Sequence, residues 1–84
     1  MYEITREQIT AKRRAYLRKL IDMQSSNAFY TLYKFFNVLL LFKDSKTSDE
    51  NLVIFIKDVE QMQRKAGDIF VANQLEQFLK ECKI

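Results

Sequence analysis

What most constrains this chain is what it lacks: it has one glycine, Gly67, and no proline in 84 residues. Hairpin turns and glycine-rich phosphate loops need backbone at positive φ, which glycine adopts without penalty and most other residues avoid. With one such residue the chain has little means of building a hairpin sheet, and it reads as all-helical. Its 48% apolar content, with seven Phe and four Tyr, places it among chains that fold rather than those that stay disordered. The length suits one domain. Residues 1–84 are therefore expected to form a single antiparallel up-down-up-down four-helix bundle, with helices at about 6–24, 28–43, 49–66 and 69–82.

Local signals mark each helix. Thr5-Arg6-Glu7-Gln8 matches a capping box, which starts helix one near Arg6. Its apolar stripe is Ile9, Tyr16, Leu20 and Met23, interrupted by Arg13 where a fifth apolar residue would sit. The polar cluster "QSSN", Gln24 to Asn27, ends that helix and caps the next through Ser25 or Ser26. Thr47-Ser48-Asp49-Glu50 reads as a second capping box, with Glu50 at its third position. Helix three then spaces Leu52, Phe55, Ile56, Val59, Met62 and Gln63 along one inner face. Arg64-Lys65-Ala66-Gly67 ends it, with cations by the last carbonyls and a left-handed glycine just beyond. Asp68 caps helix four, whose stripe is Val71, Ala72, Leu75, Phe78, Leu79 and Cys82.

The greasiest stretch is "FFNVLLLF", Phe35 to Phe42 in helix two. At 100° per residue it contributes to two adjacent apolar rows, Phe29-Tyr33-Phe36-Leu40 and Ala28-Leu32-Phe35-Leu39-Phe42. The apolar run is far shorter than the roughly 20 residues a bilayer needs, and Lys34 and Asn37 sit inside it. It reads as the central helix of a bundle, the alternative being a partly exposed patch for a partner. Tyr30, Lys34, Val38 and Leu41 are expected to be its outermost residues.

Chemistry is constrained by the same inventory. There is no His, and Cys82 is the only thiol, so His-based acid–base catalysis, Cys-His or Ser-His-Asp arrangements and the usual zinc ligand sets are all ruled out. Asp49-Glu50, Asp58 and Glu60 lie where helix starts and solvated faces place acids. The expectation is a non-enzymatic protein with no cofactor and no metal. Cys82 reads as a small core-edge residue rather than a reactive thiol. A lone cysteine and a start, "MYEITREQIT", without secretory character point to the cytosol, with peripheral association at the inner membrane face left open.

Charge is lopsided. Residues 1–24 hold six cations against three acids, and residues 25–84 hold eight of each, so the net +3 sits in residues 1–24. Lys12, Arg13, Arg14, Arg18 and Lys19 form a basic patch that reads as a solvated outer face. Nucleic-acid phosphates or anionic lipid are the alternative partners. Without a helix-turn-helix glycine turn or an aromatic-laced RNA motif, no nucleic acid is expected, and a small basic regulator or a plain structural adaptor stays a secondary reading.

"TLYKFFNVLLLF" (Thr31 to Phe42), followed by a polar turn and "LVIFIKDVEQMQRKAG" (Leu52 to Gly67), resembles the enterocin A and pediocin-like bacteriocin immunity proteins. The shared features are an apolar helix with an aromatic-and-Asn core and a next helix closing in a basic-Ala-Gly ending; they cover about half the chain. The resemblance implies a four-helix bundle that protects its cell from a cognate membrane-permeabilising peptide. It would act from the cytosol on the membrane receptor complex, a mannose-type permease with bound bacteriocin. The family places specificity in its C-terminal part, which by position is Asp68 to Ile84. The candidate recognition residues are Asn73, Gln77, Lys80 and Glu81 on the outer side of helix four, supported by Arg64 and Lys65 at the preceding turn. Oligomeric state is left open.

Overall fold

A computed structural model describes residues 1–22 and 26–84. The chain is all-α, with four helices among the described residues: α1 (Arg6–Asp22), α2 (Asn27–Asp44), α3 (Asp49–Lys65) and α4 (Ile69–Cys82). They pair as α1 with α2 and α3 with α4, in two units, residues 5–46 and residues 1–4 with 47–84. Apart from the end of α1, the observed helix limits lie within a residue or two of those expected. The α1 stripe position Met23, the end of α1 expected at residue 24, and Ser25 as a cap lie outside the described residues.

In the first unit, the Thr5 capping box closes in both directions. The Gln8 amide donates to Thr5 Oγ1 at 3.1 Å and the Thr5 amide donates to Gln8 Oε1 at 2.8 Å, satisfying two donors that a helix start otherwise leaves bare. Ser26 caps α2, accepting from the Phe29 amide. The helices run antiparallel, since Arg6 near the start of α1 meets Asp44 at the end of α2, and Tyr16 packs its ring 5.5 Å from Phe36 and 6.2 Å from Phe29. Ile9, Tyr16, Leu32, Phe36 and Leu39 are buried. The "FFNVLLLF" stretch is thus divided: Phe36 and Leu39 are core, while Val38, Leu41 and Phe42 are exposed. Tyr30, Lys34, Val38 and Leu41 are exposed on α2, as their spacing predicts, while Phe42, expected in an inner row, is exposed with them at the end of the helix.

Two features of this unit break the regular pattern. The Thr10 hydroxyl oxygen is buried with no hydrogen-bond partner. Past α2, Lys46 sits at φ 65°, a left-handed conformation that costs an L-residue roughly 1–2 kcal/mol.

In the second unit, all six stripe residues of α4 are buried, including Cys82. Asp68 caps α4 by accepting from the Val71 amide. Gly67 turns the chain at φ 87°, as its place after the basic end of α3 predicts. Two expectations are corrected. The cap of α3 is Ser48, accepting from the Asn51 amide, rather than Thr47 with Glu50. Asp49 and Glu50 instead fall in the first turn, where acids complement the helix dipole. Met62, placed on the inner stripe, is 66% exposed. The buried face of α3 is centred on Leu52, Val53 and Ile56, rotated toward Val53, and Met62 lies about 120° round from Ile56 at 100° per residue.

Met1–Ile4, ahead of α1, straps this unit. The Glu3 amide donates to the Cys82 carbonyl at 2.9 Å and the Ile84 amide to the Met1 carbonyl at 3.0 Å, tying the two ends of the chain together. The Ile4 amide donates to Asp49 Oδ2 at 3.4 Å. The Ile4 side chain is fully buried, which is worth about 1.5–3 kcal/mol.

Candidate interaction surfaces

Two surfaces carry the candidate residues, one in each unit. On the outer side of α4, Asn73, Gln77, Lys80 and Glu81 are all exposed. Their spacing of three and four places them on one face. Lys80 lies 3.9 Å from Glu76 one turn earlier, both well solvated, so that pair holds its geometry only weakly. Arg64 is engaged within the unit. It donates to Glu60 Oε2 at 2.9 Å along α3 and to Asn73 Oδ1 at 3.2 Å on α4. It therefore fixes the two helices near their shared turn and positions Asn73, while exposed Lys65 presents its charge to solvent.

Sequence reasoning missed the apolar part of this surface. Phe70 is 46% exposed and stands seven residues before Gln77, on the same face. Ile69, its neighbour at the start of α4, is exposed as well. The signal was present, since Ile69 and Phe70 both fall outside the Val71-Ala72-Leu75 stripe. The surface thus has an apolar end at the α3–α4 turn and a polar remainder along α4, a mixture able to bind a partner and to discriminate among partners.

On α1 the five basic residues do not form one patch. Arg14, Arg18 and Lys19 stand exposed, whereas Lys12 and Arg13 are half-buried. Arg13 turns toward α2, where Nε bonds Asn37 Oδ1, a terminal nitrogen donates to the Tyr33 hydroxyl at 3.2 Å, and the guanidinium lies 5.2 Å from the Tyr33 ring centre. Arg13 interrupts the apolar stripe because it is itself an inner residue, with Asn37 as its match. Arg6 pairs with Asp44 at 2.9 Å. The hydrogen bond and then the charge of Asp44 hold the Arg6 guanidinium above its ordinary pKa.

Among the described residues no group of three or more Cys, Asp or Glu side chains is placed to hold a metal ion, and no helix is long and apolar enough to cross a membrane. No protein-family model, curated protein or solved structure matches the chain.

Proposed function

We propose that this chain is a non-catalytic interaction protein of the bacteriocin-immunity type. In this reading it protects its cell against a membrane-permeabilising peptide by binding, from the cytosolic side, the mannose-type permease complex to which that peptide attaches. The observation that carries the reading is the pairing of the resemblance in Thr31–Phe42 and Leu52–Gly67 with an exposed α4 face beside the basic-Ala-Gly turn. Binding draws on Phe70 and Ile69 for apolar contact. Asn73, Gln77, Lys80 and Glu81, with Lys65 beside them, provide polar discrimination. Arg64 acts indirectly, through its bonds to Glu60 and Asn73. No bond is broken in this function, so its output is an affinity rather than a rate.

The test is protection. The chain is expressed in a sensitive strain and challenged with a broad panel of pediocin-like peptides. Survival against at least one peptide is the expected result, and unchanged killing by all of them would remove the reading.

A further inference from the structure

We propose that the outer face of α1, together with the adjoining row of α2, docks on the surface of an anionic lipid bilayer. Arg14, Leu17, Arg18 and Ile21 line one shallow depression along α1. Arg14 and Arg18 are exposed and take no ion pair or hydrogen bond among the described residues. Arg6, Arg64 and Lys80, by contrast, are matched by Asp44, Glu60 and Glu76. Beside the two free guanidiniums, Ile21 is 68% exposed.

The bonds from Arg13 to Asn37 and Tyr33 fix which flank of α1 adjoins which row of α2. Leu17 and Ile21 lie one step round α1 from Arg13, on the side away from Tyr16. Tyr30, Lys34 and Leu41 lie one step round α2 from Tyr33 and Asn37, on the side away from Phe36. These two flanks therefore border the same seam. Leu41 is 66% and Tyr30 52% exposed, and the Lys34 ammonium sits 5.0 Å from the Tyr30 ring centre.

Cations, two exposed aliphatic side chains and an amphipathic Tyr on one face suit a headgroup layer. The guanidiniums and ammonium meet lipid phosphates, Ile21 and Leu41 enter the acyl boundary, and Tyr30 sits at the interface. Duplex nucleic acid would satisfy the cations but leave Ile21 and Leu41 in water, so the aliphatic pair decides for lipid. With no helix among the described residues long and apolar enough to span a membrane, the face would lie on the bilayer rather than cross it. This docking is independent of the immunity reading: it concerns where the protein sits, not what α4 recognises.

The experiment is co-sedimentation of the full chain with vesicles of phosphatidylcholine alone and of equimolar phosphatidylcholine and phosphatidylglycerol, at low and physiological salt. Partition onto the anionic vesicles, weakened by salt, is expected, with little onto the neutral ones. Each cation near an anionic surface contributes about fivefold, so Arg14→Gln with Arg18→Gln should weaken partition by about 25-fold. Ile21→Asn should weaken it by about tenfold. Circular dichroism melts within a few degrees of the parent confirm that both variants fold. No partition, equal partition onto neutral vesicles, or undiminished partition by the double variant overturns the proposal. So does tight duplex-DNA binding that the double variant loses while Ile21→Asn leaves both DNA and vesicle binding unchanged.

Discussion

The two helix pairs solve the same packing problem with different regularity. All four helices start on a side-chain cap, but only the α3–α4 pair adds an unbroken stripe, on α4, and a glycine at its left-handed position. The α1–α2 pair buries only Ile9 and Tyr16 from α1, spans its seam with Arg13, strands the Thr10 hydroxyl and places Lys46 where a glycine would be unstrained. Regularity of this kind marks a segment whose residues answer mainly to packing. The irregular pair keeps charged and polar groups at inner and seam positions, and it is also the pair that carries the chain's excess positive charge.

The largest effects should come from the cores. Phe36→Ala in the first pair should cost about 3–5 kcal/mol, and Leu75→Ala or Ile4→Ala in the second about 2–5 kcal/mol, since all three side chains are fully buried. Chemical denaturation measures this. A loss for Ile4→Ala no larger than a surface substitution gives would show that the N-terminal strap is not part of the α3–α4 core.

The seam should respond next. Arg13→Leu alone leaves Asn37 and Tyr33 without their donor and should cost about 1–3 kcal/mol. Adding Asn37→Leu replaces both partners by apolar groups and should recover much of that loss. A double-mutant cycle with strictly additive losses would mean that Arg13 and Asn37 do not act as a pair.

The smallest effects contrast the two turns. Gly67 has open space around an added Cβ, so Gly67→Ala should cost about 1 kcal/mol purely from its positive φ, and Lys46→Gly should gain a similar amount. Melting temperatures moving in opposite directions support the contrast. A destabilising Lys46→Gly would show that the Lys46 side chain contributes more than its backbone strain costs.

These contrasts also explain what could be read from the sequence. The helix limits, the Thr5 box, the Asp68 cap, the Gly67 turn and the α4 stripe were legible because each depends on a few neighbouring residues. Three features were not. The burial of Ile4 depends on a strap whose partners, Asp49 and Cys82, lie far along the chain. Arg13 can be placed on the apolar stripe from its spacing, but not given a role apart from the other four cations, since its partners, Tyr33 and Asn37, are on another helix. The rotation that exposes Met62 follows from whether Val53 faces inward, which a stripe of evenly spaced apolar residues does not determine. Of the candidate surfaces, the polar residues of α4 could be placed by periodicity, and the same periodicity leaves Phe70 outside the α4 stripe, on their face.

The most direct test of recognition through the α4 face combines Gln77→Ala with Lys80→Glu. Both positions are exposed, so the melting temperature should stay within a few degrees of the parent. In a sensitive strain challenged with the peptide against which the parent chain protects, the account predicts that this stably expressed double variant loses protection. Full protection by the double variant would contradict the account and move recognition to another surface, the basic face of α1 first among them.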